Sequence, residues 1–265
     1  LLFHDTHHRA ATEPKTISRY DLSQYDGVLA FGQVIRDIYI DRGWADKAWT
    51  WHEAADTRLF RPQVFNGAAS SDGPQGDLIW VGNWGDEERS EEIHRFLIEP
   101  SRRLQLRTRV HGVRYPTQAL HALAEAGIDY GGWLANYRVP ELFSRHRCTV
   151  HIPRRPYREQ LPGVPTIRVF EALACGIPLI CLRWEDSENL FKPGKDYLVV
   201  DTPKEMVDAL HAVLHDKTVR DQLVRHGLQT ISRRHTCAHR VAQLLRIVRG
   251  LDSHATTPPI RDSLT

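Results

Sequence analysis

Short apolar segments alternate with helix-like segments between residues 77 and 182, and this alternation restricts the fold more than any other feature of the sequence. The apolar segments have the composition of buried strands: DLIWVGNW, LRTRVHG, IDYGGWL, CTVHIP and IPLICL. Helix-like segments such as TQALHALAEAG and YRVPELFSRH separate them. Because strands that alternate with helices pair in parallel, the sequence predicts an α/β fold with helices on both faces of a parallel sheet.

A second, smaller α/β part is predicted before this region. LLFHD, YDGVLAFG and KAWTW have the composition of strands, QVIRDIYIDRG has helical spacing, and a polar turn and a loop are expected around His7 and Pro14. Residues 64–76 are rich in Asn, Gly, Ser and Pro and predict a linker. We therefore expect a partial amino-terminal domain at residues 1–63, a second domain at 77–250 and a disordered tail at 251–265.

Three helices are predicted near the end of the second domain. Thr202 is expected to cap the first, which carries Met206, Leu210 and Val213 on one face. The other two are expected at about residues 217–233 and 237–250.

The composition argues against several classes of protein. The net charge is +2 and the arginines are scattered along the chain, so the concentrated basic surface of a nucleic-acid binder is not expected. No apolar run approaches the ~18 residues of a membrane span. The four cysteines form no C-x-x-C pair, which favours buried thiols in the reducing cytoplasm. The chain starts at Leu1 without a methionine, so we expect further sequence upstream.

The segment LPGVPTIRVFEALACGIPLICL, residues 161–182, predicts an anion-binding loop. It combines a Pro/Gly turn, a short helix with Arg168 and Glu171, a Cys-Gly break and an apolar strand. The free N–H groups and the dipole at a helix start attract a phosphate, and a carboxylate one turn later can accept hydrogen bonds from a sugar's hydroxyl pair. The segment therefore fits a nucleotide site, although an ordinary helix with a solvated Glu171 fits it as well.

Ligands of open α/β sheets bind at the carboxyl ends of the strands. The loops that follow the predicted strands are residues 82–86, 111–115, 131–134 and 153–166. We expect these four loops to line one edge of the sheet.

Several segments together resemble a known family. GVPTIRVFEALACGIPLI, ENLFKPGKDYLVV and HTCAHRVAQLL resemble the carboxyl-terminal half of a GT-B glycosyltransferase, and within that fold they are most similar to the spore-maturation CgeB-like group, related to the group-1 enzymes. HEAADTRLFRP resembles the end of the amino-terminal domain, and LIWVGNWGDEERSEEI the first βα unit of the nucleotide-binding domain. The resemblance implies two Rossmann-like domains, the first incomplete here, and transfer of a sugar from a nucleoside-diphosphate sugar to an unidentified glycan, protein or small molecule. It implies neither a metal nor another cofactor.

The resemblance also implies roles for residues in the segment 161–182. Glu171 is expected to bind the ribose hydroxyls and the backbone of residues 164–167 the diphosphate, with Arg168 near the phosphates or bracing the loop. Many group-1 enzymes carry a further glutamate about two helical turns before the residue that matches Glu171. Gly163 stands at that position here, which puts that glutamate's contribution to donor-sugar binding in question.

Two glycine-containing loops complete the expected donor site. Gly82 and Asn83 match a loop that faces the diphosphate, and Gly132 and Trp133 match the region that contacts the base. The residues expected to bind the donor are Gly82, Asn83, Gly132, Trp133, Gly163, Val164, Thr166, Arg168 and Glu171.

Three residues are candidates for catalysis. Arg155 precedes the phosphate loop, where a guanidinium can neutralise the charge of a leaving diphosphate; a solvated loop arginine is the alternative. Arg89 is a candidate for the same role, and the alternative is an ion-pair partner of Glu92 or another neighbouring carboxylate on an exposed helix. His7, in the run HDTHH, can act as a general base or contact the acceptor, and a plain loop histidine is the alternative. A metal site is not expected, because no distant Asp, Glu or Cys cluster completes this run.

Two other functions stay open. A sugar-nucleotide or glycan-binding protein of this fold without turnover fits the short amino-terminal part and the glycine at position 163. A sugar-nucleotide epimerase of the GT-B fold is the third possibility.

Overall fold

The computed structural model describes residues 1–63, 75–85 and 87–255. Asp86, most of the predicted linker and residues 256–265 of the predicted tail lie outside the described residues, whereas residues 251–255 of that tail belong to the last helix. The strands are β1 (Leu2–Asp5), β2 (Gly27–Ala30), β3 (Ala48–Thr50), β4 (Gly76–Val81), β5 (Thr108–His111), β6 (Asp129–Tyr130), β7 (His146–His151), β8 (Leu179–Leu182) and β9 (Leu198–Val200).

The α-helices alternate with these strands. They are α1 (Arg9–Thr12), α2 (Pro14–Ile17), α3 (Gln33–Asp41), α4 (Ser90–Ile93), α5 (Glu99–Arg103), α6 (Thr117–Glu125), α7 (Val139–Ser144), α8 (Arg155–Glu159), α9 (Ile167–Cys175), α10 (Pro203–His215), α11 (Lys217–Arg234) and α12 (Cys237–Ala255). A π-helical turn (His94–Ile98) joins α4 to α5, and a 3-10 turn (Asn136–Arg138) precedes α7. Among the described helices, none has the length and apolar character needed to cross a membrane.

The chain divides into two compact units. One contains Leu1–His52 and the chain from Cys237, and the other is Glu53–Thr236. This division differs from the limits expected from the sequence, because residues 53–62 group with the second unit and α12 groups with the first.

The first unit is built on a parallel sheet in the order β1-β2-β3. Tyr39 of α3 is completely buried and donates a hydrogen bond of 2.9 Å to Asp5 at the end of β1. The polar turn predicted around His7 is confirmed at residues 6–8, whereas the loop predicted around Pro14 is wrong, since α2 begins at this proline. Proline is favourable in the first turn of a helix, and the buried side chains of Ala10 and Ile17 fix the short helices α1 and α2.

The second unit contains a six-stranded sheet in the order β6-β5-β4-β7-β8-β9, and every pair is parallel. The predicted parallel α/β architecture is thereby confirmed. The strand order reverses between β4 and β7, which is the switch point where ligands of such sheets bind.

Apolar side chains pack on both faces of this sheet, because successive residues of a strand point to opposite faces. Leu78 and Trp80 of β4 pack with Leu123 of α6 and Leu210 of α10 in one cluster. Ile79 packs in another cluster with residues of α7 and α9. The sheet is therefore covered by helices on both sides, as the sequence predicts.

The helix starts and ends that the sequence identifies are also present. Thr202 and Glu205 form a capping box at the start of α10, which confirms the predicted cap. Gly176 ends α9 in a left-handed conformation, with φ 68°, at the predicted Cys-Gly break. Residues 153–166 differ from the predicted loop, because Pro156 in the first turn helps to start α8 within them.

Candidate donor-binding site

Hydrogen bonds join the loops that follow the parallel strands β4, β5, β6 and β7 at one edge of the sheet of the second unit. Gly82 donates its N–H to His111 O at 2.8 Å, and Gly112 donates to Gly132 O at 2.9 Å. Arg155 donates its backbone N–H to Glu88 O at 2.9 Å, which joins the loops after β4 and β7. The expected convergence of these loops is therefore confirmed, and a single edge carries the candidate site.

Glu171 lies one turn inside α9 and, among the described carboxylates of this edge, is the most heavily buried, with 3% of its surface exposed. Its Oε2 is 2.6 Å from Arg168 Nη1, and its Oε1 accepts a hydrogen bond of 2.8 Å from Asn136 Nδ2. Oε1 therefore has a hydrogen-bond partner, whereas Oε2 is buried with an ion-pair partner and accepts no hydrogen bond within the described residues. The alternative of a solvated Glu171 does not describe this structure.

Burial raises the pKa of the Glu171 carboxyl, and the charge of Arg168 and the hydrogen bond from Asn136 offset part of this rise. Burial and the charge of Glu171 also raise the pKa of Glu53 to about 8. At neutral pH Glu53 therefore holds a proton, which limits the repulsion between the two acidic side chains.

The start of α9 is attached to the end of β7. Thr166 is the N-cap residue, and its Oγ1 lies 2.9 Å from His151 Nε2 instead of capping the helix. Burial, together with the charges of Arg89 and Arg168, lowers the pKa of His151 to about 3. The imidazole is therefore neutral and lies among cations.

Gly163 and Val164 shape the loop before α9. Gly163 has φ 82°, a left-handed conformation that favours glycine, and its N–H donates to Glu185 O at 2.7 Å. Val164 is buried and donates its N–H to Leu161 O. The absence of a side chain at position 163 thus follows from the backbone conformation of this turn.

Gly82, Asn83 and Arg89 form the part of the edge that follows β4. Arg89 donates from Nη2 to Asn83 O at 2.6 Å and from Nη1 to Ile152 O at 2.8 Å, and its guanidinium lies over the ring of Trp80. Burial and the charge of Arg154 lower the pKa of Arg89 to about 10. Its Nε is buried without a hydrogen-bond partner, and no described carboxylate forms an ion pair with it.

Arg154 and Arg155 connect the end of β7 to the segment before α4. Arg154 Nη1 is 2.8 Å from Glu88 Oε2, and Arg155 Nε is 3.3 Å from Glu92 Oε1. Glu92 pairs with Arg155 rather than with Arg89, so the ion pair between Arg89 and Glu92 that the sequence allows is absent from the described residues.

The segment after β6 presents an aromatic ring to solvent. Gly131 donates its N–H to Val110 O, and a Cβ added at this glycine would lie 2.1 Å from His111 Cε1. Gly132 has φ 66° and its carbonyl accepts from Gly112, while the side chain of Trp133 is 74% exposed. An exposed aromatic ring at a strand end is suited to stacking on a base.

A sequence profile described as glycosyl transferase-like matches residues 89–246, which is more than half of the chain. The chain belongs to this glycosyl transferase-like family. No protein of curated function matches the chain by sequence.

Solved structures resemble the glycosyl transferase-like chain along almost its whole length. Sucrose-phosphate synthase from Thermosynechococcus elongatus has a TM-score of 0.69 and 13% identity, over 96% of this chain and 68% of its own. Anabaena HepE, in complex with UDP and glucose, has a TM-score of 0.65 and 14% identity over 94% and 71%. T4 phage BGT, in complex with UDP and Mn2+, has a TM-score of 0.64 and 13% identity over 95% and 73%. At these identities the likeness shows the fold, which is GT-B.

The second unit contains all the residues expected to bind the donor, on the loops and helices of one sheet edge. They are Gly82, Asn83, Gly132, Trp133, Gly163, Val164, Thr166, Arg168 and Glu171. Two of the expected catalytic residues, Arg89 and Arg155, lie at the same edge. Their roles stay predictions.

His7 lies in the first unit, after β1. Its N–H donates to Asp5 Oδ1 at 2.9 Å, and its ring lies 4.1 Å from that of His8. Its catalytic role stays a prediction. Within the described residues, no group of three or more His, Cys, Asp or Glu side chains is arranged to hold a metal ion.

The sequence did not identify three polar residues of this site. His151, at the end of the strand CTVHIP, could have been found as a polar residue at a carboxyl strand end. Asn136 and Glu53 have no local pattern that marks them, since their relation to Glu171 arises from the tertiary structure.

Proposed function

We propose that this glycosyl transferase-like protein transfers a sugar from a nucleoside-diphosphate sugar to an acceptor. The observation that carries the proposal is Arg89, a half-buried guanidinium bound by two backbone carbonyls at the switch point of the sheet. A partly buried cation without a paired carboxylate among the described residues attracts an anion. The diphosphate is the anionic group of such a donor, and HepE and T4 phage BGT, both in complex with UDP, support this ligand class.

The donor's ribose is assigned to Glu171. Arg168 is 20% exposed and covers this carboxylate, so ribose hydroxyls gain access when Arg168 moves aside. In the proposed complex Arg168 exchanges Glu171 for a phosphate oxygen, while the N–H groups at the start of α9 bind the same diphosphate. The base lies near Gly132 and Trp133.

Catalysis in this proposal rests on orientation and on stabilising the leaving diphosphate by Arg89 and Arg155. His7 is proposed as the base or acceptor contact. The absence of a metal requirement, membership of the CgeB-like group, a cytoplasmic location and an acceptor that is a glycan, protein or small molecule are parts of the proposal that rest on the sequence alone.

Calorimetric titration of the full chain with UDP, GDP and their sugar conjugates tests donor binding. Glu171→Ala is expected to weaken binding at least tenfold, because the ribose loses a charged hydrogen-bond acceptor. Glu91→Ala, which removes an exposed carboxylate of α4, is expected to bind as the wild type does. Unchanged affinity in a folded Glu171→Ala protein would overturn the assignment.

Nucleotide release separates the three functions considered from the sequence. Release that depends on an added acceptor supports transfer. Binding without release supports a non-catalytic binding protein, and conversion of the donor sugar without an acceptor supports an epimerase.

A further inference from the structure

Gly163 and Glu188 occupy one small volume of the candidate site. A Cβ added at Gly163 would lie 2.7 Å from Glu188 Cγ and 2.9 Å from Glu188 Oε1. The side chain of Glu188 therefore fills the space that a side chain at position 163 would need. A carboxylate from the loop after β8 is thus placed directly against the loop before α9.

The backbone on both sides of this contact is fixed by hydrogen bonds. Gly163 donates its N–H to Glu185 O at 2.7 Å. Asp186 accepts from the N–H groups of Leu190 at 2.9 Å and of Phe191 at 2.8 Å. Glu188 therefore projects from a braced turn rather than from a loosely held one.

The order of groups along the site indicates which part of the donor lies near Glu188. In the proposed function Glu171 binds the ribose and residues 164–167 bind the diphosphate. Along the chain, Gly163 precedes this phosphate-binding segment and Glu171 follows it. In a nucleoside-diphosphate sugar, the group on the other side of the diphosphate from the ribose is the sugar that is transferred.

The negative charge of Glu188 indicates which group of the donor it contacts. A carboxylate repels phosphate oxygens, whereas it accepts strong hydrogen bonds from hydroxyl groups. His151, which contacts Thr166 of the phosphate segment, lies near the cations Arg89 and Arg168, and Glu188 is the acidic side chain seated against Gly163.

We propose that Glu188 accepts hydrogen bonds from hydroxyl groups of the transferred sugar and thereby selects the sugar of the donor. This inference rests on the proposed function, because it requires a nucleoside-diphosphate sugar in the site. It assigns the contact with the transferred sugar to a residue outside α9 and the loop before it. A nucleoside diphosphate without a sugar does not make this contact.

Calorimetry with a nucleoside diphosphate and with its sugar conjugate separates the two contacts. For Glu188→Gln, the affinity for UDP is expected to stay within twofold of the wild type, whereas the affinity for UDP-glucose falls about tenfold. GDP and GDP-mannose replace this pair if the wild type prefers guanine. Glu159→Gln is the matched control, because it removes an exposed carboxylate of α8 and is expected to change neither affinity.

Each outcome decides between the two proposals. If folded Glu188→Gln and Glu188→Ala proteins bind both ligands as the wild type does, Glu188 has no sugar contact, and the proposed function stands. If both ligands bind more weakly by the same factor, Glu188 acts on the nucleotide site and sugar selection is overturned. If the wild type binds none of the four ligands, the proposed function fails and the role of Glu188 fails with it.

Discussion

Arg168 and Glu171 lie one helical turn apart on α9, and their side chains form an ion pair with 2.6 Å between Nη1 and Oε2. The carboxylate side chain is 4% exposed and the guanidinium side chain 20%. Because the pair is largely removed from water, Glu171 depends on Arg168 to remain charged. The same arginine is proposed to bind the diphosphate, so one side chain serves stability in the free protein and affinity in the complex.

Replacement of Arg168 by methionine is expected to lower the free energy of unfolding by about 3 kcal/mol at pH 8, because a buried carboxylate loses its counter-ion. The pKa of Glu171, already raised by burial, rises further when the charge of Arg168 is removed. A folded-state pKa above the unfolded one gives stability that is lost as pH rises, so the loss is expected to be smaller at pH 5. Urea denaturation at both pH values measures this.

Arg145→Met is the matched control for this prediction. Arg145 pairs with Glu141 on α7 at 2.6 Å, with side chains 35% and 39% exposed. An exposed pair contributes about 0–1 kcal/mol, so a small loss at both pH values is expected. An equally small loss for Arg168→Met would contradict the dependence of Glu171 on its partner.

Glu53 is expected to make stability depend on pH. Its pKa is raised from the ordinary 4.5 to about 8, so the folded state binds its proton more tightly than the unfolded state does. This contribution is complete below pH 4.5 and is lost as pH rises towards 8. Glu53→Gln has no proton to lose, and we expect it to raise Tm by at least about 4 °C at pH 8.5 but not at pH 4.5. Thermal unfolding of both proteins across this range tests the sign, and an unchanged pH profile would contradict it.

The features that the sequence predicts are patterns of residues close together in the chain, and the features that it misses have no such local pattern. The parallel sheet is predictable because each apolar strand and each helix is a local pattern, and Thr202 caps α10 through contacts with the next turn. By contrast, α1 and α2 have four residues each, too few to show a helical period.

The candidate site shows the same division. Glu171, Arg168 and the glycines lie in segments whose local composition marks them. Asn136 bonds to Glu171 from 35 residues away, and Glu188 meets Gly163 through the packing of two loops, so both relations exist in the fold alone. The sequence therefore identifies the phosphate loop but not the polar residues that surround it.

Arg89 is expected to hold two loops together. Its guanidinium bonds to Asn83 O and Ile152 O, and lysine can reach one of these carbonyls but not both. Arg89→Lys is expected to lower the free energy of unfolding by about 1–3 kcal/mol and to weaken nucleoside-diphosphate binding. Arg95→Lys, in the π-helical turn that continues α4, is the control, because Arg95 makes an exposed ion pair with Glu91. Equal stability of the two variants would show that the carbonyl contacts of Arg89 contribute little.

Gly163 and Gly194 provide a matched test of the contact between Gly163 and Glu188. Both have left-handed backbones, with φ 82° and 79°, but a Cβ at Gly194 would meet nothing within 4 Å. Gly194→Ala is therefore expected to cost about 1 kcal/mol from backbone strain alone. Gly163→Ala is expected to cost about 2–3 kcal/mol, because it also displaces Glu188 and meets Ser187 Oγ at 2.8 Å.

Removing the side chain of Glu188 is expected to reduce the extra loss of stability that Gly163→Ala shows over Gly194→Ala. In a Glu188→Ala background, the cost of Gly163→Ala is expected to fall by at least about 0.5 kcal/mol, whereas the cost of Gly194→Ala is expected to stay the same. The contact with Ser187 remains, so the cost at Gly163 is not expected to fall to that at Gly194. Urea denaturation of the five variants and the wild type measures this coupling, and strict additivity at both glycines would show that Glu188 does not occupy the space at Gly163 in solution.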